Sequence, residues 1–202
     1  MYTSLHRPPL MLTGVLLACC LSTAVSTPAP KTVLDYYLLL PEKYLKALGS
    51  SQDRLSLISL RDVKNGYLEL SGGWEGDAHV VLWKSAAGQD LLGVSQTDCG
   101  PVCQQTLWFL TFKDGKWTNV TAKAFPTLSQ KTMLNYYNEM KSTVDQAFTT
   151  ADELPFLYIL PRYQTTIKLI IDPTFASRPT TLTTFKFDQK ALKFVDTLGA
   201  QP

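Results

Sequence analysis

One order of segments occurs twice in this 202-residue chain, and it limits the possible folds more than any other feature. Thr32-Val33-Leu34-Asp35-Tyr36-Tyr37 is echoed by Thr132-Met133-Leu134-Asn135-Tyr136-Tyr137. Each phrase opens a stretch with helical spacing. Each is followed by a pair of strand-like runs and then by a hairpin of aromatic strand, turn and aromatic strand. In the first half that hairpin is Thr106–Phe112, Lys113-Asp114-Gly115-Lys116, then Trp117–Thr121. In the second it is Thr181–Phe187, Asp188-Gln189-Lys190, then Leu192–Val195. The repeated order predicts an α+β architecture of two related modules, each a helix packed on an antiparallel β-sheet. The expected boundaries are 27–125 for the first module and 126–202 for the second, shorter one.

Local signals place the elements. Ser129 caps an expected helix to about Phe148, with Leu134, Tyr137, Met140, Val144 and Phe148 on one face. The first helical stretch, Thr32–Leu48, is interrupted at Pro41, which predicts a helix, a break and a further turn. Asn65-Gly66 is a hairpin cue in front of the strand ending at Leu70. Strands are further expected over His79–Trp83, Asp90–Ser95, Phe156–Leu160 and Thr165–Ile171. Arg54–Leu60 alternates apolar and polar residues and predicts a leading strand.

Residues 1–26 read as a leader. Arg7 precedes the apolar run Leu10–Leu21, and Ala24-Val25-Ser26 forms a small-x-small cleavage site. The run is too short for a permanent membrane span of ~20 residues. Leu16-Leu17-Ala18-Cys19 also resembles a lipobox, in which residues 1–18 are removed and Cys19 is lipidated. Both routes deliver the chain to an oxidising compartment, periplasmic or extracellular, free or lipid-anchored. Cleavage after Ser26 leaves 18 basic and 17 acidic residues, one histidine (His79) and two cysteines (Cys99 and Cys103).

The phrases DYYLLLPEKYL, DVKNGYLEL, FKDGKW and LPRYQTTIKL resemble a loose set of exported bacterial proteins of unknown function. The resemblance implies export and the α+β layout. It brings no catalytic residue with it.

The residue inventory narrows the chemistry. A near-balanced net charge of +2, with 18% charged residues, lacks the basic stripe of a nucleic-acid binder. Cys99-Gly100-Pro101-Val102-Cys103 lies between strand-like segments. It reads as a small disulfide-closed loop, because a redox dithiol needs a helix start behind its first cysteine. His79, Asp98 and the two cysteines match no zinc spacing, so no metal or cofactor is expected. His79 is the only base available for a Ser-His-Asp arrangement, and no nucleophile elbow accompanies it. Glu75 and Asp77 read as solvated turn residues, and Asn119-Val120-Thr121, a glycosylation sequon, as ordinary strand. Trp83, Trp108 and Trp117 read as core.

Trp74 stands in a Gly-rich loop, either tucked over the sheet edge or exposed as an anchor. Arg162-Tyr163 occupies the equivalent turn of the second module, and the three residues would form a binding rim if those loops meet. The expected function is that of an exported, monomeric, non-enzymatic binding module in the cell envelope. Its partner is a protein, glycan or lipid and not a nucleic acid. The alternatives are a thiol-redox or other enzyme centred on Cys99 and Cys103, and a structural lipoprotein anchored through Cys19.

Overall fold

The structure, a computed structural model, describes residues 31–45, 51–85, 88–100, 103–140, 155–176 and 180–197. The leader with Cys19, and Val144 and Phe148 of the expected long helix, lie outside the described residues.

Thr32 and Asp35 start the first helix, α1 (Val33–Leu38), with a reciprocal cap. The Asp35 amide donates to Thr32 Oγ1 at 3.2 Å, and the Thr32 amide donates to Asp35 Oδ2 at 2.9 Å. The Lys31 and Thr32 amides hold the Asp35 carboxyl below its usual range. The helix ends before Pro41, and a 3-10 turn (Glu42–Tyr44) follows, which is the break expected at that proline.

A second short helix, α2 (Ser51–Ser56), then takes Arg54, which sequence alternation had assigned to a strand. The reason is tertiary. Arg54 Nη1 donates to the carbonyls of Tyr37, Leu38 and Leu40 at 3.3, 2.9 and 2.8 Å. They lie at the end of α1 and just beyond it, where helix carbonyls run short of backbone donors; the Tyr37 carbonyl also accepts the Leu40 amide at 3.1 Å. The leading strand therefore starts later, as β1 (Ile58–Asp62).

A six-stranded antiparallel meander follows in the order β1-β2-β3-β4-β5-β6. Its remaining strands are β2 (Tyr67–Ser71), β3 (Asp77–Trp83), β4 (Leu91–Cys99), β5 (Cys103–Lys113) and β6 (Lys116–Asn119). The last strand stops two residues short of the expected Thr121. Asn119 Oδ1 accepts the Thr121 amide at 2.9 Å and turns the chain into the short helix α3 (Thr121–Ala124). The helix α4 (Gln130–Met140) begins under the Ser129 cap, whose Oγ accepts the Thr132 amide at 3.0 Å. A four-stranded antiparallel sheet completes the fold: β7 (Phe156–Ile159), β8 (Thr166–Ile171), β9 (Thr181–Asp188) and β10 (Lys193–Asp196).

The chain is thus α+β, with short helices and two antiparallel sheets, and strands dominate. Alternation along the first sheet divides its residues between two cores. Leu68, Leu70, Val80, Leu82 and Val94 bury against α1 through Val33, Tyr36 and Tyr37. The other face contributes Val81, Trp83, Leu91 and Phe109 to a core shared with Ile167, Phe185, Phe187 and Phe194 of the second sheet. Trp83 meets the Phe194 ring edge-on at 5.0 Å, and Phe125 meets Phe185 at 4.6 Å. Trp108 and Trp117 pack against the helix-side core, and the Trp117 indole donates to the Leu39 carbonyl at 2.9 Å. One apolar interior therefore crosses the boundary expected at residue 125. No helix among the described residues is long and apolar enough to cross a membrane.

Candidate functional site

The face of the first sheet that turns toward the second is split by chemistry. Val81, Trp83, Leu91 and Phe109 occupy its apolar half. Asp77, His79, Ser95, Thr97 and Gln105 occupy the rest, because the same alternation continues along β3, β4 and β5 into polar sequence. The edge strand β7 is fastened to this face by one side chain. Gln105 Nε2 donates to the Tyr158 carbonyl at 3.0 Å, and Gln105 Oε1 accepts the Tyr158 amide at 2.6 Å. The same Gln105 amide group also donates to Ser95 Oγ at 2.8 Å.

Leu157 and Ile159 of β7 form the wall of a groove beside that polar half. One end is a cavity of about 370 Å³ lined by His79, Thr97, Gln105, Asp172 and the Cys99–Cys103 bridge. The other is a cavity of about 430 Å³ at the β7–β8 turn, lined by Tyr67, Arg162, Tyr163, Gln164 and Lys168. Ile159 lines both, and the Tyr67 and His79 rings, one from each cavity, stack at 5.8 Å.

At the turn end, Arg162 Nε donates to Asp62 Oδ2 at 2.8 Å, joining the second sheet to the first. Asn65 and Arg162 hold the Asp62 carboxyl below its usual range. The Arg162 guanidinium lies 5.0 Å from the centre of the Tyr163 ring, which is 59% exposed. Gln164 completes the turn with a left-handed φ of 74°, uncommon for a residue with a side chain. Burial, aided by the Glu69 and Asp77 carboxylates, pushes the Tyr67 phenol up to about 12.

At the other end, Cys99 and Cys103 are bridged across the β4–β5 hairpin, with 4.0 Å between their Cα atoms. The loop before β3 folds onto this tip. The Trp74 indole donates to the Thr97 carbonyl at 3.0 Å, and the Cys99 amide donates to the Glu75 carbonyl at 2.8 Å. Gly76 makes that approach possible: its φ is 140°, and a Cβ there would stand 2.0 Å from Thr97 O. Trp74 is therefore tucked over the sheet, half-buried against the helix-side core.

The expected rim does not form as one surface. Arg162 binds at the Asp62–Tyr67 end of β2, while the Trp74 loop leaves β2 at its Ser71 end. Arg162 and Tyr163 stay together, and Trp74 is separated from them by the length of that strand. The structure forms no catalytic relay at His79 among the described residues. Its Nε2 is 3.9 Å from Asp77 Oδ2, and the cross-strand Ser95 is buried with its hydroxyl bonded to Gln105. No group of three or more His, Cys, Asp or Glu side chains among the described residues is arranged to hold a metal. Tyr67, Gln105 and Lys168 joined the site without any sequence signal, since each is an unremarked position on an alternating strand. A larger cavity, about 730 Å³, lies between β5, α3 and the start of α4, but its lining is mainly apolar, with Lys123 as the one cation among the described residues.

No protein-family model and no curated protein matches the chain. Its fold is similar to a domain of an uncharacterized protein from Porphyromonas gingivalis W83. The TM-score is 0.53 at 10% sequence identity, covering 82% of this chain and 98% of that one. A likeness at that identity speaks to the fold alone.

Proposed function

We propose that this chain is an exported, non-enzymatic binding module of the cell envelope whose ligand lies in the groove beside β7. Tyr163 carries the reading. It is an exposed aromatic ring, backed by a guanidinium that is itself bonded to a carboxylate on the other sheet. Tyrosine and arginine dominate binding hot spots, and a ring held in place loses little freedom when a partner arrives. The Cys99–Cys103 bridge supports an oxidising compartment, in line with the leader and the resemblance of its phrases to exported proteins. The recurrence of helix and meander, with α1 against β2 and β3 and α4 against β9, supports two related modules that share a core. The redox reading is weaker, because Cys99 ends one strand and Cys103 begins the next, so no helix N-terminus stabilises a thiolate.

The test combines two measurements. The first is the intact mass of the protein from its native envelope, with and without thiol alkylation. A start at Thr27 and unreactive Cys99 and Cys103 are expected, whereas a lipidated Cys19 would make it membrane-anchored. The second is retention on envelope polysaccharide, protein and lipid fractions. Retention on one of them should fall about tenfold in Tyr163→Ala, the effect of losing ~1.4 kcal/mol. Reactive thiols together with retention indifferent to Tyr163→Ala and Arg162→Ala would overturn the proposal.

A further inference from the structure

The geometry points to a carboxylated saccharide as the ligand of the β7–β8 turn cavity, with Tyr163 as the ring platform and Lys168 and Arg162 as the carboxylate receptors. This rests on the binding-module reading and names its ligand class.

Three independent features of the cavity lead there. The first is its charge. Arg162 and Lys168 line it, and no carboxylate of the described residues does, the Glu69 and Asp77 carboxylates reaching it only through their field on Tyr67. Among the described residues the one acid bonded to either cation is Asp62, which takes Arg162 Nε, and the terminal nitrogens of that guanidinium bond none of them. An Arg fixed through Nε keeps its fork for a planar anion, and a carboxylate suits that fork. The second is Tyr163. Its ring is covered on one side by Arg162 and remains 59% exposed, so a flat, weakly apolar surface is available for the C–H face of a pyranose ring. The third is Tyr67. It is 7% exposed and lines the cavity, yet its hydroxyl makes no hydrogen bond to a described residue. That hydroxyl is a donor and acceptor open at the cavity wall to a ligand hydroxyl. Gln164 adds a carboxamide from the strained tip of the turn. At about 430 Å³ the cavity falls within the range of small-ligand sites.

The experiment is calorimetric titration of the full chain, disulfide closed, with four probes. They are galacturonic acid and glucuronic acid trisaccharides, the methyl ester of the first, and an acidic tripeptide. At least one uronic acid trisaccharide should bind, about tenfold more tightly than the ester, because a charge-assisted pair is lost. Lys168→Gln should remove about fivefold of acid affinity and leave the ester unchanged. Tyr163→Ala should weaken acid and ester alike by about fivefold. Tyr67→Phe, which keeps the packing, should weaken both by about threefold. Acid affinity should fall as salt rises. Failure of both uronic acids to bind, equal affinity for acid and ester, or indifference to Tyr163→Ala would each overturn the saccharide assignment. If the tripeptide alone binds, and does so through Tyr163, the assignment falls while the binding-module reading stands. If no probe binds and no envelope fraction retains the protein, both fall.

Discussion

Arg54 illustrates how one side chain settles a local structure that its neighbours leave open. Its guanidinium reaches three carbonyls at the end of α1, and the Tyr37 hydroxyl returns a bond to the Arg54 carbonyl at 2.8 Å. Arg54→Ala should cost about 2–3 kcal/mol of unfolding free energy, because the Leu38 and Leu40 carbonyls lose a charged donor. Urea denaturation followed by tryptophan fluorescence measures it, and Arg54→Lys should recover only part. Nothing local announces this role. The alternation of Arg54–Leu60 matches a strand, and only the fold brings Arg54 to the carbonyls of a helix 14 to 17 residues earlier. The same holds for the site. Arg162 and Tyr163 were legible as turn residues of binding type, but the Asp62 carboxylate that steadies them is 100 residues away in sequence.

Elements were the most legible level, because strands and turns are written in nearest-neighbour chemistry. The Asn65-Gly66 cue, the Ser129 cap and the Pro41 break each sit where the structure uses them. The β4–β5 hairpin went further than its pattern, since both strands run on to the cysteines and the bridge closes the tip. A loop this short removes little chain entropy, so reduction should lower stability by about 2 kcal/mol or less. Denaturation with and without dithiothreitol reads that difference, and the far-ultraviolet circular dichroism of the folded chain should be unchanged. Loss of the strand signal on reduction would mean that the bridge holds the sheet together.

At the scale of the molecule, the two sheets meet through a core and one latch, and neither was foreseeable from segment order. Segment order reports which strands exist, whereas the crossing of β7 over the first sheet depends on contacts about 53 residues apart. Gln105→Ala should cost about 2–3 kcal/mol and expose the Tyr158 amide to hydrogen exchange, since two backbone groups lose their partners at once. Alkaline stability is likewise a property of the whole interior. Burial pushes the Tyr37 and Tyr67 phenols up to about 12, while in the unfolded chain they ionise near 10. The unfolded chain binds fewer protons between those values, so stability present below pH 10 should decline from there toward pH 12. A thermal-melt series across that window, paired with tyrosinate absorbance at 295 nm, tests the sign. The Gln105 latch has one more consequence. An unpaired strand edge is a template on which a neighbouring molecule can continue the sheet, and short edge strands are where such growth begins. In this protein the middle of the β7 edge is already occupied by a carboxamide from the same chain, which imitates the partner strand and ends the ladder there. The groove can thus stay open beside an aggregation-prone feature without inviting a second copy to zip along it.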